Sequence, residues 1–138
     1  TIATLISFIN LKNHKYKISY NNNVVNEELL ILASAASQYT GGGMLIAPDA
    51  LKENKKINLL FAHKANHFDA FNLLMKVFSG QHLHHQLVKS LHSECVKIST
   101  SSKNSWAGLV YGDGEFLGNL PVSTSLGTEK LLVLVPKI

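Results

Sequence analysis

Two carboxylates, Asp113 and Glu115, stand two residues apart in Trp106-Ala107-Gly108-Leu109-Val110-Tyr111-Gly112-Asp113-Gly114-Glu115-Phe116-Leu117. A positioned carboxylate pair is a candidate for proton transfer with a substrate. The β-rich run Leu109-Val110-Tyr111 meets Gly112-Asp113-Gly114, a strong hairpin-turn signal, and Phe116 and Leu117 resume the strand. Such a turn holds both side chains at its tip, fixed by the sheet and open to a cleft. The plain alternative is that Asp-Gly is a common turn dipeptide and Glu115 a solvated edge charge.

Other chemistry-bearing residues give weaker signals. Gly41-Gly42-Gly43 cannot continue a regular element and allows a tight bend or a close backbone approach. A phosphate cradle would fit such a loop, but neither GxxxxGK[ST] nor GxGxxG accompanies it. His82, His84 and His85, with His63, His67 and His92 not far away, have the composition of a metal site. They lack the i, i+4 pair with a nearby acid that helix-borne zinc sites favour. Cys95, the single cysteine, excludes an internal disulfide, suits a reducing compartment and is expected to fill the core. Lys52, Lys55, Lys56 and Lys64 form the densest cationic cluster, read as a solvated loop or as attraction to phosphates or an anionic surface. All 13 cationic residues are lysine, so bidentate arginine clamps on phosphate are excluded.

The elements that must position these groups fit one domain over residues 1–138. Hydrophobic content of 46% and charged content of 16% describe a globular chain rather than a disordered one. The net charge of +4 is only moderately basic, and nucleic acid is not an expected partner. No apolar run approaches the ~18 residues of a membrane span. The chain begins at Thr1 rather than Met, as a fragment would.

Residues 1–10 read as the end of a helix or a first strand. Lys15–Tyr20 alternates as a strand and ends in Asn21-Asn22-Asn23. The stretch 27–38 has helical propensity, yet its short apolar run and turn-rich flanks favour a strand over 29–35. Ile57–Ala62 reads as a buried strand. A helix follows, capped by Asn66 and ended by Gly80, with Phe68, Phe71, Leu74, Met75 and Phe78 expected to pack on the sheet. Strands at 94–100 and 131–135 complete a mainly β, antiparallel sandwich with one or two helices.

Three motifs in fixed order carry a resemblance: Gly41-Gly42-Gly43-Met44-Leu45-Ile46-Ala47-Pro48-Asp49-Ala50, Ser79-Gly80-Gln81-His82 and Tyr111-Gly112-Asp113-Gly114-Glu115. From about Leu29 onward the chain resembles the C-terminal β-sandwich half of the diacylglycerol kinase and lipid kinase family, which includes sphingosine kinases and YegS-like kinases. The resemblance implies the second domain of a two-domain enzyme. In that enzyme an N-terminal nucleotide-binding domain, bearing a Gly-Gly-Asp-Gly-Thr motif absent here, completes the cleft. It implies transfer of phosphate from ATP, with Mg²⁺, to a lipid hydroxyl at a membrane surface. ATP and Mg²⁺ are then expected in the full-length protein and not bound to this fragment. A cytoplasmic location at the membrane periphery follows, and a homodimer is compatible with the pattern.

By the same resemblance Glu115 is the base and Asp113 its polar or metal-network neighbour. Gly41, Gly42, Gly43, Gly112 and Gly114 shape the substrate cleft. The family usually shows Asp-Gly, two residues and Asp after its Pro-x-Ala motif, whereas this chain reads Asn54-Lys55-Lys56-Ile57-Asn58. A metal network anchored at Asn58 is therefore weakened, because Mg²⁺ prefers anionic oxygens. That departure favours an alternative, a non-catalytic lipid-binding or regulatory module that kept the fold.

Overall fold

A computed structural model describes residues 12–50, 52, 55–102 and 105–127. The expected segments at 1–10 and 131–135, and Asn54, lie outside the described residues. Among the described residues eight strands and one α-helix follow in order: β1 (His14–Tyr20), β2 (Asn23–Ala35), β3 (Ile57–His63), α1 (His67–Val77), β4 (Val88–Ser93), β5 (Cys95–Thr100), β6 (Leu109–Gly112), β7 (Glu115–Asn119) and β8 (Val122–Ser125). Six form an antiparallel sheet in the order β4-β3-β2-β1-β5-β8, and β6 and β7 pair separately. The mainly β, antiparallel expectation holds.

Turn chemistry sets the register of both tight hairpins. Asn21 and Asn22 have φ of 47° and 63°, which lets Tyr20 pair directly with Asn23. Asn tolerates the left-handed region because its short polar side chain bonds locally. The stretch 27–38 does not become a helix, because β2 runs through it as far as Ala35, hydrogen-bonded to β1 on one side and β3 on the other. Tertiary pairing outweighs local helical propensity here.

The connection between β4 and β5 forces the sheet to curl. Only Glu94 separates Ser93 from Cys95, a reach of ~7 Å. In a flat sheet, four spacings of ~4.8 Å would separate the two strands. Asn21 Nδ2 donates to the His92 carbonyl at 2.8 Å, tying the β1–β2 turn to the end of β4 where the curl brings them together.

β3 is buried on both faces. Ile57, Leu59 and Phe61 join Ile18, Leu29, Val96 and Ile98 in the core, with Tyr16, Tyr20, Leu32, Leu120 and Val122 packed against it. The β6–β7 hairpin lies over this face: Ala107, Leu109, Val110 and Tyr111 line a small cavity with Tyr16, Leu32 and Ile98. Asn58, Leu60 and Ala62 point to the other face, where Asp49 reaches β4 through His92.

Two packing expectations are overturned. On α1 the buried side chains are Ala70, Leu73 and Val77, whereas Phe68, Phe71, Met75 and Phe78 are exposed. The aromatic stripe recurs at helical spacing but lies on the more exposed side of the helix. Cys95 is exposed rather than a core residue. The two-residue period of β5 turns Val96 and Ile98 inward, which places Cys95 and Lys97 outside. Two strands, β4 and β8, carry too few apolar residues for the sequence alone to have marked them.

Candidate functional site

The Gly112–Glu115 turn is a two-residue β-hairpin loop. Gly112 pairs with Glu115, and Asp113 and Gly114 carry φ of 50° and 87°. A type I′ turn requires positive φ at both central positions, and Asp-Gly supplies it. Asp113 and Glu115 are both exposed. Beside them Tyr111 and Phe116 stack edge to face with centroids 5.7 Å apart, and both remain more than half exposed. The cavity beneath the hairpin holds about 130 Å³, well short of the ~300–1,000 Å³ of a ligand pocket. A substrate at these carboxylates therefore needs a second surface to complete its seat.

The glycine loop is closed by two backbone bonds, Thr40 N–H to Met44 O and Met44 N–H to Thr40 O, each 3.0 Å. Gly41, Gly42 and Gly43 all have positive φ, at 53°, 80° and 112°. A Cβ on Gly42 or Gly43 would meet nothing within 4 Å, so conformation rather than crowding selects glycine at those two positions.

The second motif docks onto the first. Gly80 ends the α1 turn with φ of 73°, and a Cβ there would come within 3.0 Å of Leu45 and 3.1 Å of Pro48. His82, in a 3-10 turn (Gln81–His84), is buried and donates from Nε2 to the Ile46 carbonyl at 2.9 Å. With the hydrogen on Nε2, Nδ1 is an acceptor, and it has no hydrogen-bond partner among the described residues. Burial lowers the His82 pKa, opposed by the carbonyls of Ile46 and Lys76. Leu45, Pro48, Asp49, Lys52, Ser79 and Gly80 share one shallow cavity. The hairpin lines a different one, so two of the three motifs converge on a common cavity and the third stands over the opposite sheet face.

Asn58 is fully buried. Its Nδ2 donates to Ser90 Oγ at 2.9 Å, while Oδ1 has no partner among the described residues. His92 Nε2 donates to the Asp49 carbonyl at 2.7 Å, so it cannot also accept from Asn58 Nδ2, 3.5 Å away. Two side-chain amide and hydroxyl groups and a protonated imidazole nitrogen do not suit Mg²⁺, which wants carboxylate oxygens. Among the described residues no group of three His, Cys, Asp or Glu side chains could hold a metal ion. The histidines disperse instead: His82 bonds Ile46, His92 bonds Asp49 and His63 lies 3.6 Å from Glu27. In the lysine cluster, Lys52 pairs with Asp49, and Lys64 with Glu28 at 3.2 Å.

Sequence reasoning did not single out Ser90 or the position of His92. The missing signal was the β3–β4 register, which sets Asn58 opposite His92 and Leu60 opposite Ser90.

Residues 1–135 match the family described as the YegS C-terminal NAD kinase β-sandwich-like domain. Two curated relatives, each named diacylglycerol kinase, come from strains of Mycobacterium tuberculosis. They are 28% identical over 97 residues, 70% of this chain, and the match spans 30% of their length. Among solved structures, a putative diacylglycerol kinase from Bacillus anthracis superposes with a TM-score of 0.61 at 19% identity, covering 84% of this chain and 38% of that one. Another from the same organism gives 0.60 at 16% identity, covering 89% and 41%. At those identities the likeness concerns the fold. The match over 1–135 decides the family: the chain belongs to the YegS C-terminal, NAD kinase-like β-sandwich domains, a family with diacylglycerol kinase relatives.

Proposed function

We propose that this chain is the substrate-side domain of an ATP-dependent lipid kinase, with Glu115 as general base. The observation that carries the reading is the Asp113-Gly114 turn. It holds Glu115 at a fixed strand position, exposed, beside the apolar surface of Tyr111 and Phe116. The lipid hydroxyl oxygen attacks the γ-phosphorus of ATP, the bond to the β-phosphate oxygen breaks, and the hydroxyl proton passes to the Glu115 carboxylate. Asp113, two residues away, orients the hydroxyl. Gly112 and Gly114 let the turn approach it closely, while the 41–43 loop belongs to the motif that Gly80 and His82 brace beside the separate cavity on the opposite sheet face.

The second surface the hairpin lacks is, in this reading, an N-terminal nucleotide-binding domain of the same protein, which supplies the ATP site. Mg²⁺ bound with ATP would neutralise phosphate charge there, and no step runs through Asn58. The test compares diacylglycerol phosphorylation by the complete protein with that by residues 1–138 alone. Transfer by the complete protein only is expected, and transfer by this chain alone contradicts the two-domain reading.

One observation favours a second reading, a lipid-binding or regulatory module without activity. The buried side chain at position 58 is an amide, whose Oδ1 has no partner among the described residues, in place of a carboxylate. Under that reading the complete protein binds lipid and transfers no phosphate.

A further inference from the structure

The outward face of β1, β5 and β8 carries a cationic cleft. Ile18, Val96 and Ile98 point into the core, so the two-residue period turns Lys17, Ser19, Lys97, Ser99 and Ser123 to the other face. Strand register gathers these five. Ser19 and Ser123 lie directly opposite Lys97 on its two sides, and Ser99 lies opposite Lys17. Lys17 and Lys97 are therefore a diagonal pair, ~7–8 Å apart at their bases. All five residues line one cavity of about 380 Å³.

Within the cavity the two lysines have no opposing charge. None of its lining residues is acidic, and β1, β5 and β8 contain no Asp or Glu. On β2 the residue opposite Lys17 is Asn26. Glu28, opposite Lys15, pairs with Lys64 at 3.2 Å. Glu94 lines the adjoining cavity together with Lys56, so that neighbour adds no net negative charge. Lys17 and Lys97 are both exposed, and like charges set this close on a sheet face repel. An anion seated between them replaces that repulsion with two attractions. Hydroxyl donors stand beside it. Ser123 Oγ lies 3.4 Å from Cys95 Sγ, a weak acceptor that leaves the hydroxyl hydrogen to a stronger one. Ser19 supplies a second hydroxyl, while Ser99 Oγ donates to the Lys17 carbonyl at 3.5 Å.

We propose that this cleft binds a free phosphate dianion, inorganic or carried by a small soluble monoester. Two ammonium groups act as point charges on the phosphate oxygens and two hydroxyls donate to them, a mode of recognition open to a chain without arginine. The β6–β7 hairpin covers the opposite face of the same strands, where Tyr16, Ile98 and Val122 line the cavity beneath it. The cleft is thus separate from Asp113 and Glu115, and a phosphate bound in it is held rather than transferred. Its lining suits an anion in water rather than a lipid surface. None of the large apolar side chains that are exposed borders it, and binding in a membrane interface draws on buried apolar area.

The site stands apart from the kinase reading, because its occupancy is measured without ATP or turnover. The full chain is titrated with inorganic phosphate at constant ionic strength, set with sodium chloride, and followed by amide chemical shifts. Saturable shifts at residues 17–19, 97–99 and 123 are expected, with a Kd on the order of 1 mM. Lys17→Gln/Lys97→Gln should weaken binding at least ~10-fold, the loss of a charge-assisted hydrogen bond or more, and Lys97→Arg should stay within ~3-fold of the parent. Thermal melts should match the parent, since both side chains are exposed. Absence of saturable shifts, equal affinity in the folded double variant, or the same shifts from chloride alone overturns the proposal. So does a parent that ignores free phosphate yet sediments with phosphatidylglycerol vesicles through these two lysines, because the face is then a lipid contact.

Discussion

His82 Nε2 donates to the Ile46 carbonyl across 2.9 Å, joining two segments 36 residues apart. Both partners are main structural features of short motifs: the glycine-rich Gly41–Ala50 stretch and Ser79-Gly80-Gln81-His82. The bond explains why a buried histidine belongs in the second motif. A neutral imidazole offers one donor to the Ile46 carbonyl without placing a charge in the interior.

That burial makes stability depend on pH with a definite sign. The folded pKa of His82 lies below the ordinary value of 6.5, so the unfolded chain binds the extra proton first as pH falls. The stabilising contribution is complete above pH ~6.5 and declines as pH drops from there toward the folded pKa, at no more than ~1.4 kcal/mol per pH unit. Urea midpoints between pH 7.5 and 5 should fall less steeply in His82→Gln than in the parent. Parallel profiles would show that His82 does not titrate on unfolding in this range.

Gly80 and Gly42 share a left-handed backbone and differ in crowding. An added Cβ at Gly80 would press Leu45 and Pro48, and at Gly42 it would enter open space. Gly42→Ala should cost only the conformational strain of about 1 kcal/mol. Gly80→Ala should cost that plus the displacement of Leu45, about 2–3 kcal/mol in all. Thermal melts of the two variants check the order, and equal losses would mean that the Leu45–Pro48 contact gives way freely.

The sequence made β1, β3, α1 and the 109–117 hairpin legible for concrete reasons. Asn21-Asn22 and Asp113-Gly114 are turn dipeptides with a left-handed preference, and Asn66 bonds the Asp69 amide as a helix cap. The face of α1 was not legible. Phe68, Phe71, Met75 and Phe78 have the same 3.6-residue spacing whether they meet a sheet or water, and only the small Ala70 and the aliphatic Leu73 and Val77 fit closely against the fold. The environment of Asn58 was hidden for another reason: Ser90 and His92 reach it through strand register, which leaves no trace in local sequence.

Asn58→Asp tests the buried polar cluster. A carboxylate there cannot donate to Ser90 Oγ as the Asn58 amide does, so the hydroxyl must turn to donate instead, and a negative charge is buried with no cation beside it among the described residues. The variant should lose about 3–5 kcal/mol of stability in metal-free buffer. If the position retains the geometry of a metal network, millimolar Mg²⁺ should raise the melting temperature of the variant and leave the parent unchanged. An identical melting temperature with and without Mg²⁺ would make residue 58 a purely structural position.

The most direct test of the catalytic assignment is kcat for diacylglycerol phosphorylation by the complete protein carrying Glu115→Gln. The substitution keeps shape and most hydrogen bonding and removes the basic carboxylate. Because Glu115 is exposed, the melting temperature should stay within the effect of a surface change, less than about 0.5 kcal/mol. Asp113→Asn should keep the turn, since Asn suits a φ of 50°, and should lower kcat less. As general base, Glu115 predicts a fall in kcat of at least ~100-fold in Glu115→Gln. Near-parental kcat in that variant would contradict the account and leave the turn with a structural role only.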